Sequence, residues 1–187
     1  EGRVTEAAPA ALARAAEMTD PAAREWHLLW FGAQVDRQNG RLDEAIAKFQ
    51  QIVDGGFEQA VGRGFDFSED WSMLNAFGST VYERARQARG AARAEERKEY
   101  LQQAADIYRE SLELDPESVE AHFGLMQVLR DLGDQAGAAH HEQLHATYKP
   151  DDNARDHAIS EARRRYPAAN RAAEPIVIYE LKEHTEE

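Results

Sequence analysis

The chain has 187 residues, 42% hydrophobic and 30% charged, so it can bury a core and is too apolar for wholesale disorder. Its 22 Lys plus Arg stand against 35 Asp plus Glu, and the resulting charge of -13 works against non-specific nucleic-acid binding. With no Cys, it can have no disulfide, thiolate metal site, Cys-linked haem or Cys nucleophile. The longest apolar runs, Leu28 to Phe31 and Pro175 to Tyr179, fall far short of the roughly 20 residues of a membrane-spanning helix. There is no signal-peptide pattern, and the sequence opens at Glu1 without a Met. The expectation is therefore a fragment of a longer protein, with periplasm and cytoplasm both left open.

The elements follow in chain order. Few Gly and Pro punctuate an Ala-, Glu- and Arg-rich sequence, which favours helix almost throughout. Residues 1–20 read as one helix. Residues 26–59 read as a helix pair turning at Asn39-Gly40, with Ala45, Ile46, Phe49, Ile52 and Val53 at helical spacing. From Asp54 to Asp70 the pattern breaks at Gly55, Gly56, Gly62 and Gly64. Phe57, Phe65, Phe67 and Trp71 are nevertheless too aromatic for a solvated linker, so self-packing is expected over 60–70. Residues 71–118 form a second pair around Gly90, with Leu101, Ala104, Ala105, Tyr108 and Leu112 in register. Residues 119–152 form a third pair around Gly133-Asp134. An amphipathic helix then runs from Asn153 to Tyr166, and the apolar tail 175–181 reads as a strand or a short helix. That tail is expected to dock on the chain itself.

The pairs echo one another. Gly2-Arg3-Val4-Thr5-Glu6-Ala7 is matched by Gly40-Arg41-Leu42-Asp43-Glu44-Ala45, and more loosely by Gly133-Asp134-Gln135-Ala136-Gly137-Ala138. Residues 119–152 make a unit of about 34 residues, with Leu125, Leu129, Gly133, Ala138 and Pro150 at the places a tetratricopeptide repeat requires. The chain thus resembles the tetratricopeptide (TPR) family. Gly78, Ala104, Tyr108 and Leu114-Asp115-Pro116 match in the second unit; Leu29, Ala33, Gly40, Ala45 and Phe49 match in the first. The second unit is longer than the repeat by about 14 residues, which keep helical composition and read as two elongated helices. The resemblance implies an all-α, right-handed superhelical solenoid of antiparallel helix pairs. It makes residues 1–20 the second helix of a half-repeat and residues 153–187 a capping helix with its apolar tail.

The resemblance also implies a function. In this family the first helix of each pair lines a concave groove that binds a peptide or a protein segment. Counted from the matched positions, the lining is His27, Trp30, Gln34 and Arg37, then Asn75, Ser79 and Tyr82, then Phe123, Gln127 and Arg130. Aromatic bodies with amide and guanidinium tips suit an extended peptide or an acidic segment. The family's carboxylate clamp needs two Lys and two Asn, and only Asn75 fits. The expected role is a non-catalytic interaction scaffold without a cofactor. The stretch 149–181 is also similar to the ends of TPR regions that accompany bacterial multihaem cytochrome domains, although Cys-x-x-Cys-His is absent.

One motif suggests chemistry instead. His141-Glu142-Gln143-Leu144-His145 matches the HExxH pattern, which sets two imidazoles one helical turn apart around a zinc, with the carboxylate as general base. His157 or Glu161 would supply the third ligand. The match falls inside a repeat helix, with Glu142 and His145 at packing positions, so the reading preferred here is a polar seam in which Glu142 pairs with Arg155 or His157. Other candidates fail on their own terms. Asp66-Phe67-Ser68-Glu69-Asp70 begins like a calcium loop but carries Trp71 where the turn needs Gly and Phe77 where the Glu belongs. Ser68 or Asp70 is the expected cap of the helix at Trp71. The glycines from 55 to 64 lack the Gly-Lys-Ser/Thr of a phosphate loop, and Arg163 to Arg165 read as a solvated face.

Overall fold

A computed structural model describes residues 2–18, 24–150 and 152–166, and among them every regular element is helical. The fold is all-α. The helices are α1 (Gly2–Glu17), α2 (Glu25–Gln38), α3 (Leu42–Asp54), the short α4 (Glu58–Val61), α5 (Trp71–Gln87), α6 (Ala94–Leu114), α7 (Val119–Leu132), α8 (Gln135–Tyr148) and α9 (Asp152–Arg165). None of the described helices is long and apolar enough to cross a membrane. The chain divides into two units, Glu1–Tyr148 and Lys149–Glu187. In the second unit the described element is α9, which leaves Ile159 and Tyr166 exposed. The tail 175–181, expected to self-dock, lies outside the described residues.

Sharp turns set the pairing in the first unit. Gly40 (φ 76°) reverses the chain between α2 and α3, and Gly90 (φ 85°) does so between α5 and α6. Gly133 (φ 89°) closes α7 in the left-handed region that only glycine enters at no steric cost. Side-chain caps define the starts: the Asp70 carboxylate accepts from the Ser72 and Met73 amides, and Ser118 Oγ accepts from Ala121 N. Short links of this kind place consecutive helices side by side. Each helix packs on its neighbour: α1 on α2, α2 on α3, α5 on α6, α6 on α7 and α7 on α8. Contacts of α3 with α5 and of α5 with α7 join successive pairs.

One continuous core runs through these pairs, from Ala33 and Phe49 through Phe77, Val81, Ala104 and Tyr108 to Leu125, Leu129 and Ala138. Small residues on one helix admit large ones from the next, as where Gly78 and Gly124 both meet the Tyr108 ring. Phe49 of α3 stacks on Phe77 of α5 at 5.7 Å, which ties the first pair to the second. Burying an aromatic of this size contributes about 1.5–3 kcal/mol. The α5 and α6 helices, at 17 and 21 residues, outrun the 13 or 14 of α2, α3, α7 and α8. The extra residues of 71–118 are thus helical on both sides of Gly90.

The aromatic segment between α3 and α5 packs on itself and on α2. Trp26 meets Phe57 and Phe67 at 5.9 Å each, and Phe67 in turn meets Phe57 at 5.7 Å and Phe65 at 4.8 Å. A single 3-10 turn, Phe67–Glu69, is pinned by the Asp66 carboxylate, which accepts from Ser68 N. Polar ties reinforce the pairing. Buried Asp36 receives Arg41 and Lys48, joining α2 to α3. Burial pushes its carboxyl up, but hydrogen bonds from Lys48 and Arg41 outweigh that and hold it below the usual carboxylate range.

Candidate functional surface

Among the described residues, most of the ten residues counted round α2, α5 and α7 are found at two clefts, in side-chain pairs and in the core. At one end, His27 and Trp30 border an aromatic cleft of about 570 Å³, together with Trp26, Phe65, Phe67 and Arg63. Trp30 also packs edge-on against Phe49 at 5.8 Å, so its ring is shared between the core and the cleft. Arg24 lies over the Trp26 ring at 5.3 Å, adding a cation to this apolar floor. Gln34 is half-buried on the same helix, beyond the cleft. Arg37 reaches across to α5, where its guanidinium pairs with Glu83.

On α5 the structure corrects one assignment. Asn75 is 0% exposed and is part of the core. Its Nδ2 donates to Ser118 Oγ at 3.1 Å, and its Oδ1 lies 2.7 Å from the Ser111 hydroxyl, which donates to it. A buried amide must satisfy both ends inside the protein, and these two serines do so. Asn75 therefore joins α5 to α6 and to the start of α7 rather than facing a partner. Ser79 turns its hydroxyl to the Ala76 carbonyl at 3.3 Å. Tyr82 donates to Asp131 at 3.3 Å, and burial, then Asp131, raise its phenol pKa.

Tyr82 and Gln127 both border a second cleft, of about 960 Å³, at the α5–α6 turn. Its cationic lining of Arg86, Arg89, Arg97 and Lys98 was not among the sequence candidates. Phe123 stands 43% exposed on α7 with His145 of α8 against its ring at 5.2 Å. Arg130 lies 3.6 Å from Glu142. Seven of the ten positions thus sit at two clefts or in partly exposed pairs, and Asn75 is in the core.

The HExxH residues are turned onto α7. His141 Nδ1 lies 2.9 Å from Nδ1 of His122, a buried histidine whose Nε2 donates to the Pro116 carbonyl at 3.0 Å. With that Nε2–H committed, the neutral tautomer of His122 has Nδ1 as its acceptor, and with that tautomer His141 is the donor, an assignment that follows from the hydrogen bonds. Tyr148 stacks on the other side of His122 at 5.6 Å. Burial, then the facing His122, with His140 and Arg109 adding to it, push the His141 imidazole down to about 4; Asp134 opposes this. Glu142, expected to pair with Arg155 or His157, extends to Arg130; the Arg155 side chain lies outside the described residues. His157 is exposed on α9, in the other unit. Among the described residues, no group of three or more His, Asp or Glu stands close enough together to hold a metal. Comparison with protein-family models and with curated protein sequences returns no match.

Proposed function

We propose that this chain is a TPR-type interaction scaffold that binds a peptide or protein segment along the surface of α2, α5 and α7, without chemistry of its own. In this reading the helix pairs form a right-handed solenoid, α1 is the half-repeat at its start, and residues 153–187 cap its end. The observation that carries it is the nearest-neighbour packing of α2–α3, α5–α6 and α7–α8, with small residues facing large ones at each junction. Supporting it, the first helices of these pairs bear two clefts and partly exposed aromatics, Trp30, Tyr82 and Phe123, of the kind that dominate binding energy at interfaces.

The test is selection of a displayed random-peptide library on the full chain, with counter-selection on a Tyr82→Ala/Phe123→Ala variant of matched helicity. Enrichment of a shared sequence that the variant no longer retains supports the reading. Enrichment that the variant retains in full, or none at all, rejects it.

A further inference from the structure

We propose that the cleft at the α5–α6 turn takes an acidic, extended segment of a partner protein, its carboxylates met by Arg86, Arg89, Arg97 and Lys98. The inference rests on the binding-scaffold reading and adds the partner's chemistry and the place where it docks. The first ground is charge. The whole chain carries -13, yet this cleft is lined by four cations and a single carboxylate, Asp131. Asp131 is engaged with Arg97 at 2.9 Å.

The second ground is how the cations are used. Elsewhere on the same helices they are matched: Arg84, two residues from Arg86, sits 2.6 Å from Asp43 and 2.8 Å from Glu96, and Arg109 sits 2.6 Å from Asp106. In the cleft, among the described residues, Arg97 is matched by Asp131 and the others are not. Arg86 lies over the Tyr82 ring at 6.0 Å, and Arg89 Nε donates to the Arg86 carbonyl at 3.3 Å. Among the described residues, neither they nor Lys98 have a carboxylate partner. A protein of net charge -13 with Arg86, Arg89 and Lys98 facing one cleft, without carboxylate partners among the described residues, has there a surface complementary to anions.

The third ground is shape. The cleft is open, and its volume stands at the upper end of the range for binding pockets, about 300–1,000 Å³. Buried Leu101 and Ala88 give it an apolar floor between the charges. Alternating acidic and apolar side chains on an extended strand fit such a lining. The nearby α6 N-terminus carries Glu95 and Glu96 in its first turn, which works against its amides holding a phosphate. Nucleic acid is opposed by the net charge of the rest of the chain.

The experiment is fluorescence anisotropy with a labelled peptide alternating Glu and Leu, titrated with the full chain and compared with its Gln/Leu counterpart. The acidic peptide should bind about tenfold more tightly or better, with affinity falling as salt rises. Arg86→Glu/Arg89→Glu should weaken it by about tenfold or more. Lys98→Glu should weaken it independently, while Arg109→Glu, an equal charge change at an exposed site on α6, should have far less effect. Arg86→Lys should retain most of the binding. Equal binding of both peptides, or equal effects of Lys98→Glu and Arg109→Glu at unchanged helicity, overturns the inference. If the library selection returns a non-acidic sequence that Arg86→Glu/Arg89→Glu still binds, this inference fails while the scaffold reading stands.

Discussion

Tyr108 of α6 lays its ring directly across Gly124 of α7: a Cβ added at 124 would stand 2.2 Å from Tyr108 Cζ and 2.5 Å from its hydroxyl oxygen. No rotation of one methyl relieves such an overlap, because Tyr108 is itself 3% exposed and wedged in the core. At Gly78 the same ring is farther away, with a Cβ meeting its nearest carbons at 3.2 Å. Gly124→Ala should therefore destabilise the chain by about 2–3 kcal/mol or more, and Gly78→Ala by clearly less. Chemical denaturation of the two variants tests the order. If Gly78→Ala proves the more damaging, this account of how α5, α6 and α7 meet is wrong.

The small-against-large logic was legible in the sequence as a pattern, since Gly78, Ala104 and Tyr108 fall at recurring places. Gly124 carried no such signal, because a glycine within a helix looks like a weak helix former until its neighbour is known. The polar residues were harder. Asn75 lies on the first-helix face by count, but its partners Ser111 and Ser118 are 36 and 43 residues away in sequence. The count from the matched positions placed it in the groove lining, and tertiary contacts place it in the core. The cationic cleft was hidden for the same reason: Arg86 and Arg89 precede Gly90 while Arg97 and Lys98 follow it, and only the fold-back of α6 sets them against one cleft.

The Asn75 network makes its own prediction. Asn75→Ala removes an acceptor for the Ser111 hydroxyl and a donor to Ser118, whose Oγ also caps α7. The Ser111 hydroxyl keeps the Trp71 carbonyl at 3.2 Å and Ser118 Oγ keeps Ala121 N, so the cost of about 1–3 kcal/mol comes from the two lost hydrogen bonds and the space left at a fully buried side chain. The melting temperature should fall accordingly, and peptide binding at either cleft should be unchanged in affinity at temperatures where the variant is folded. A loss of binding without a loss of stability would return Asn75 to the recognition surface.

Acid should act in two steps with separate causes. His141 titrates at about 4 in the folded chain against an ordinary 6.5, so between those values the unfolded chain binds more protons and stability falls as pH is lowered. His122, His140 and Arg109 face or flank it and favour the neutral form; Asp134 opposes them. Asp36 has a lowered carboxyl, so its contribution is present above 3.8 and is lost only as pH falls through its folded value. His141→Asn should flatten the loss between pH 6.5 and about 4, by on the order of 1 kcal/mol after solvent screening, and leave the lower step in place. Urea midpoints measured across this range decide it. An unchanged slope in the variant would show that the His122–His141 pair does not govern the upper window.

The last prediction concerns the aromatic segment that follows α3. Phe67 touches Trp26, Phe57 and Phe65 at once, whereas Phe65 is 46% exposed and, among these rings, meets Phe67 alone. Beyond α4 and one 3-10 turn the segment is held by turn hydrogen bonds, in which the Arg63, Gly64 and Phe65 amides donate back to the Ala60 and Val61 carbonyls, and by this ring cluster. Removing Phe67 deletes the common contact and leaves a gap that three rings cannot close without moving, at a cost of about 2–4 kcal/mol for a half-buried site. Phe65→Ala should cost much less. Arg63 lies in the exposed stretch between Phe57 and Phe67, which supplies a built-in reporter. Trypsin should cut after Arg63 much faster in Phe67→Ala than in the parent or in Phe65→Ala, before the rest of the first unit is digested. Faster cutting at all basic sites together would mean that the whole unit has loosened. Equal cutting at Arg63 in all three proteins would mean that the cluster does not order the segment.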